Sequence, residues 1–337
     1  MLELSAALII AIALNVYVLT GGADYGGGVW DLAATGSQTE QQRQLIAEAI
    51  GPIWEANHVW LILVIVVLFT GFPPVFAAIS TGLHIPITLL LIGIVLRGSS
   101  FVFRAYGRET GSARRNWGRV FAVSSLITPI WLGVIVGALA SGRVLVVPGS
   151  AWDNFVRPWL APFPFAVGFF ALSIFAFLAA VYLAVESQDQ LREDFRTRAL
   201  IAGAAVAVMA LIVFALSEDG APGIRIRLSG SWWSWPLQMA TAIAAAGAWY
   251  GIWIRRFELA RGCAVLQVSF IVWGWAVSQY PYMVAPSLTI ANAAAPPQTL
   301  QLLIGAVGAG ALVLLPSFYY LFRVFKARHS QRPSMNV

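Results

Sequence analysis

The chain alternates between long apolar runs and short polar breaks, and runs of about 20 apolar residues recur from one end to the other. That is the length a helix needs to cross ~30 Å of hydrocarbon. The pattern predicts nine spans, at 4–22, 50–70, 75–97, 119–141, 163–185, 199–216, 236–254, 263–285 and 300–322. The sixth is short and ends in SEDG. The breaks are of two kinds. Some are rich in arginine, such as YGRETGSARRNWGR (106–119) and SQDQLREDFRTR (187–198); others are short or nearly uncharged, such as GFPP (71–74) and APSLTIANAAAPPQ (285–298).

The two kinds of break alternate, and this gives an orientation. With the N-terminus outside, the inner segments hold 16 of the 21 basic residues and the outer loops hold four, Arg143, Arg157, Arg225 and Arg227. Only Arg97 is left within a span. Basic residues accumulate on the cytoplasmic side, so the expected topology is N-out and C-in. Composition agrees: hydrophobic residues make up 59%, charged residues 11%, and the mean hydropathy is +0.77, which excludes a soluble domain of this length. The expected organisation is one all-α integral membrane domain over 1–337, with a basic cytoplasmic tail at 323–337. The net charge of +6 does not argue for nucleic acid, because the arginines sit in short inter-span loops. Cys263 is the single cysteine, so an intrachain disulfide and a cysteine cluster for zinc or iron–sulfur are both excluded. MLELSAALII lacks a basic leading region and reads as a first span, not a cleaved signal.

Ionisable residues inside spans are costly and are candidates for function. They gather in the first third of the chain. GGADYGGGVWDL (21–32) ends the first span with Asp24 in a glycine-rich run; its plain reading is a polar, flexible loop start. The second span opens IGPIWEANHVW, with Gly51-Pro52 at its mouth, Glu55 further in, then Asn57 and His58. The third closes LRGSSFVFRAYG, where Arg97 and Arg104 are two turns apart on one face. The expected orientation puts Asp24, Glu55, Arg97 and Arg104 at the inner side of three consecutive helices. Two readings stay open. In one, Arg97 or Arg104 neutralises Glu55 or Asp24 in a buried pair that fixes helix register. In the other, carboxylates, the His58 imidazole and trapped water carry protons from the inner aqueous phase toward mid-membrane.

His58 and His84 both count to near the bilayer midplane from opposite ends of their spans, so a bis-histidine haem is a minor alternative. His329 falls in the basic tail and reads as solvated, and Met209, Met239 and Met283 read as packing residues. The aromatic cluster SWWSW (231–235) fits an interfacial belt.

These motifs carry a resemblance. ADYGGGVWDL resembles the G-F-D-x-G-x-G motif of subunit II of cytochrome bd-type quinol oxidases. IGPIWEANHVW resembles that family's I-G-P-x-W-D-x-N-x-x-W, and LRGSSFVFR its F-R-x-x-x-F-x-[FY]-R. The three occur in order over 19–105; beyond that the likeness rests on span count, SQYPYMVAPS and the basic tail. The resemblance implies a fold of two four-helix bundles plus one peripheral helix. It implies a terminal oxidase of the bacterial cytoplasmic membrane that passes electrons from quinol to dioxygen and makes water. In that family the b-type and d-type haems and the quinol-oxidising loop belong to subunit I. Subunit II binds no haem, scaffolds subunit I and lends a proton path from the cytoplasm. A small single-span subunit is a further partner to consider, besides lipid and quinone. By motif, the glycine-run aspartate corresponds to Asp24, the W-D acid to Glu55, and the span-end arginines to Arg97 and Arg104. Asn57 is kept; His58 matches no fixed family residue. Glu55 replaces an aspartate and Ala23 a phenylalanine, departures that suggest a divergent branch, with the cyanide-insensitive type as one candidate. The competing classes are a multi-span secondary transporter and a b-type cytochrome anchor. A transporter should show paired broken helices in two halves, whereas the polar sites here are concentrated in the first three spans with no matching pair later.

Overall fold

A computed structural model describes residues 1–36, 38–50, 54–106, 112–144 and 150–329; the side chains of 50, 54–55, 105–106, 112–114 and 321–329 lie outside that description. The Gly51-Pro52 mouth, the centre of the 106–119 loop, the Glu55 side chain and the basic side chains of the tail therefore fall outside the described residues.

The described chain is almost wholly helical: α1 (Leu2–Leu32), α2 (Thr39–Ile50), α3 (Trp54–Gly71), α4 (Pro73–Gly82), α5 (His84–Tyr106), α6 (Ser112–Ala140), α7 (Ala151–Phe155), α8 (Pro162–Glu186), α9 (Asp189–Gly220), α10 (Pro222–Gly230), α11 (Ser234–Trp253), α12 (Phe257–Gln279) and α13 (Pro297–His329). A small antiparallel hairpin, β1 (Tyr282–Val284) and β2 (Leu288–Thr289), pairs Tyr282 with Thr289 and Val284 with Leu288 between α12 and α13. With no water in the bilayer core, each segment must satisfy its backbone internally, and helices do so.

The helices form two groups of four. In the first, α1 packs on α3 and α6, and α5 packs on α6. In the second, α8 packs on α9 and α12, and α11 on α12 and α9. Contacts of α8 with α6 and α1 join the two, while α13 leans on α1 and α3 from outside. Among the described residues, seven helices are long and apolar enough to cross a membrane, or eight if the bent pair α3–α4 counts as one span. The expected segment 236–254 is α11, whose tryptophans, tyrosine and small residues keep it outside that apolar set.

Hydropathy and helix boundaries differ at four places. The first expected span, 4–22, is a helix to Leu32: the glycine run that reads as a loop start stays helical, because its glycines are packing surfaces. The third, 75–97, is not one helix. The 117° turn after α3, at Phe72 and the two prolines that follow it, falls at the expected break, but a second break at Leu83 makes α5 start afresh at His84. Proline lacks an N–H and clashes with the preceding turn, so it opens α4 and does not continue α3. The expected loop 187–198 is mostly the first three turns of α9. Finally, the segment before α3, expected as a connection between spans, folds as α2, whose Gln42 and Ile46 are buried.

Candidate functional site

The glycine run decides how closely α1 approaches its neighbours. A Cβ on Gly26 would lie 1.9 Å from the Phe175 carbonyl oxygen of α8, and one on Gly28 would lie 2.2 Å from Ser125 Oγ of α6. No side chain fits at either position. The price of glycine in a helix, up to about 1 kcal/mol per residue, is offset by the packing it permits, and the polar residues interspersed with the glycines are drawn into the protein interior.

Two tiers of charge result, each built from α1 and α5. At the tier nearer the C-terminal ends of α1 and α5, Arg104 makes a bidentate pair with Asp31, at 2.9 and 3.0 Å, and Arg43 of α2 approaches the same carboxylate at 4.0 Å. One heptad further into the span lie Asp24 and Arg97, 3% and 2% exposed. Asn57 of α3 donates a hydrogen bond to the Asp24 carboxylate and reaches the Thr20 carbonyl at 3.5 Å. Arg97 Nε donates to Ser125 Oγ at 3.1 Å. The Arg97 guanidinium lies 4.6 Å from the Tyr25 ring centroid and 5.2 Å from that of Phe121, within cation–π range. Its Nη2 is buried with no hydrogen-bond partner among the described residues. Beyond this tier His58 sits against Tyr17 and Tyr25, at 6.2 and 6.3 Å between ring centroids.

Of the residues expected from sequence, Asp24, Asn57, His58 and Arg97 thus lie together between α1, α3, α5 and α6. Arg104 does not pair with Asp24; its partner is Asp31, which sequence reasoning passed over as part of a loop. A signal for it exists: Asp24 and Asp31 repeat the seven-residue spacing of Arg97 and Arg104, as two helices running the same way would require. Glu55 is in the first turn of α3, and its side chain lies outside the described residues. His84 is a correction. The break at Leu83 puts it at the exposed start of α5, with its ring nitrogen 2.8 Å from the Thr81 carbonyl and its ring beside Phe155. From position 84 to Arg97 the helix rises about 20 Å, whereas His58 is beside the Arg97 tier. One metal ion holds two imidazoles at about 2 Å each, so these two histidines do not fit a shared haem.

Comparison with known proteins gives the chain a family. The profile of the family described as cytochrome bd terminal oxidase subunit II matches residues 2–325. The chain belongs to that family. It is 22% identical to a Bacillus subtilis (strain 168) protein named for a cytochrome bd menaquinol oxidase subunit II, over 96% of this chain and 97% of that one. It is 28% identical to the Escherichia coli (strain K12) cytochrome bd-I ubiquinol oxidase subunit 2, over 62% of this chain and 54% of that one. Its fold matches a chain of the bd oxidase structure from Geobacillus thermodenitrificans with a TM-score of 0.81, at 22% identity, covering 96% of this chain and 98% of the other. The protein is therefore subunit II of a cytochrome bd-type quinol oxidase, a multi-pass membrane component of a haem-containing oxidoreductase complex that also has a subunit I.

Proposed function

We propose that this subunit scaffolds a haem-bearing subunit I and supplies the complex with a proton path that enters from the cytoplasm. In this reading the chain holds no haem of its own; the haems b and d and the site of quinol oxidation belong to subunit I. The complex sits in the bacterial cytoplasmic membrane with this chain N-out and C-in, as a single domain over 1–337 with the 323–337 tail inside. A small single-span subunit completes the partners.

The observation that carries the reading is Asp24. It is a carboxylate buried in a span, hydrogen-bonded by an amide side chain and facing a guanidinium held by a hydroxyl and two aromatic faces. A purely structural charge is better served by the bidentate geometry seen at Asp31 and Arg104. Asp24 accepts from an amide and not from a guanidinium fork, and the Arg97 Nη2, without a hydrogen-bond partner among the described residues, makes the site polar enough to hold water. A group that must both take up and release a proton needs such divided surroundings. Protons would pass the Asp31–Arg104 tier, reach Glu55 and Asp24, and move on past Asn57 and His58.

The test uses the assembled oxidase. Glu55→Gln and Asp24→Asn keep shape and hydrogen bonding but cannot release a proton, so each should retain its haem spectrum while losing most quinol-driven oxygen consumption. Glu55→Asp should restore much of it. Wild-type turnover in both amide variants would leave the chain a scaffold only.

A further inference from the structure

Beyond Asp24 the polar seam continues along α1 through two tyrosines that no motif singles out. Tyr17 and Tyr25 are both fully buried, and their hydroxyls are 3.3 Å apart. Eight residues separate them, about 12 Å of helix rise, so the rings must fold toward each other along the helix surface. Gly21 allows this: a Cβ there would stand 2.9 Å from the Tyr17 ring. Tyr25 is held on both faces, stacked on Phe175 at 6.1 Å and 16° and covered by the Arg97 guanidinium. The His58 ring lies equally near both tyrosines.

If only filling were needed, phenylalanine would fill this space at no polar cost. A buried hydroxyl needs partners, at about 1–3 kcal/mol for one left unmade, and two adjacent hydroxyls with an imidazole beside them supply donors and acceptors in sequence. Their height matters as well. From Asp31 to Tyr17 the helix rises about 21 Å, so the seam runs from the inner end of α1 past the middle of a ~30 Å core.

We propose that Tyr25 and Tyr17, with His58, form the mid-membrane stretch of the proton path, taking protons from the Asp24 tier toward the bilayer centre. This rests on the reading of Asp24 as an entry group. Each hydroxyl gives up its own proton as it accepts the next, and the imidazole takes a proton on one ring nitrogen as it releases one from the other. No electron moves and no group ends with a changed proton count. The hydroxyls rotate about their C–O bonds, so either can donate.

The experiment measures quinol-driven oxygen consumption per haem in the assembled oxidase, in H2O and in D2O, with a short-chain quinol. The variants are Tyr17→Phe, the double Tyr17→Phe/Tyr25→Phe, and Asp24→Asn. The double variant removes both hydroxyls together and so leaves neither without its partner. Tyr17→Phe alone keeps Tyr25 between Phe175 and Arg97. Both should slow turnover at least fivefold with an unaltered haem spectrum and an increased solvent isotope effect. Wild-type turnover in both tyrosine variants, with Asp24→Asn slow, overturns the tyrosine path and leaves the entry reading intact. Wild-type turnover in Asp24→Asn overturns the entry reading and this extension with it. Slow turnover of the tyrosine variants with an unchanged isotope effect also overturns the proposal, because that result marks a packing defect.

Discussion

The two four-helix groups share a plan and differ in what they bury. In the first, α1 and α5 carry two tiers of charge, Asp31–Arg104 and Asp24–Arg97, with Asn57, His58 and two tyrosine hydroxyls above them. The core of the second is apolar, built from Phe177, Leu178, Ala199, Ala202, Val206, Ala248, Ala264 and Val268. A cavity of about 270 Å³ there is lined by small, aromatic and aliphatic residues and one amide, Gln267. Packing alone therefore does not require buried charge in this fold. The second group holds together on dispersion and small-residue contact, such as Gly251 against the Ala260 backbone. The charge in the first group is an added expense, and an added expense in one of two like halves points to use.

The strongest test of that contrast acts where the groups meet. Gly26→Val would drive a side chain into the Phe175 backbone and Ala179, where even a Cβ has no room. The neighbouring contact is backbone, which cannot swing aside, so α1 and α8 must separate. Overpacking of this kind costs about 1–3 kcal/mol and occasionally more. The expected outcome is loss of assembled oxidase in size-exclusion chromatography, and recovery of intact complex would show that the two groups are less tightly fitted than described.

Next in size is the difference between the groups themselves. Asp24→Asn should cost at least tenfold in turnover, which is about 1.4 kcal/mol of barrier. Gln267→Leu, at the polar residue of the second group's cavity, should change turnover less than twofold. Comparable losses from both would make buried polarity a general packing need and dissolve the contrast.

Much of this was legible in the sequence, and for a physical reason. Lipid makes a charged residue in a span expensive, so Asp24, Arg97, Asn57 and His58 stand out against the apolar runs, and hydropathy locates the long helices. Three features were hidden. Asp31 was masked by its glycine-rich surroundings, which weaken helix propensity in isolation, although here Gly26 and Gly28 are what α6 and α8 pack against. Tyr17 and Tyr25 were hidden because tyrosine in a span reads as filling. His84 was misplaced because hydropathy registers the break at GFPP (71–74) but not the second one at Leu83, a fully buried residue as apolar as the helices on either side.

An effect on stability, and not on turnover, should separate the two tiers. Asp31 and Arg104 form a two-pronged pair whose side chains are 4% and 20% exposed. Removing one partner leaves the other charge partly desolvated, so Arg104→Met should lower stability by about 1–3 kcal/mol. The double variant Asp31→Asn/Arg104→Met should recover part of that loss. A double-mutant cycle on thermal unfolding of the complex measures the coupling, which should be absent between Asp31 and Arg97. Equal coupling in both combinations would merge the tiers into one network.

The smallest effect lies in the connection between the two groups, at α7. Ser150 caps this short helix, its hydroxyl accepting from the Asp153 backbone N–H at 3.1 Å and donating to the Asp153 carboxylate at 2.6 Å. Arg157 donates to the same carboxylate at 3.0 Å. The Ser150 hydrogen bond, followed by that of Arg157, holds the Asp153 carboxyl below its usual range. A depressed value in the fold means that the carboxylate contributes stability above the unfolded value, about 3.9 for a free aspartate, and loses it as pH falls through the lower folded value. The site is exposed and solvent-screened, so the contribution is small. Asp153→Asn should therefore melt slightly below wild type at neutral pH, and the gap should close as pH drops below about 4. A gap that persists in acid would mean that the charge of Asp153 is not what steadies the link between the two helix groups, and that the Ser150 cap acts on its own.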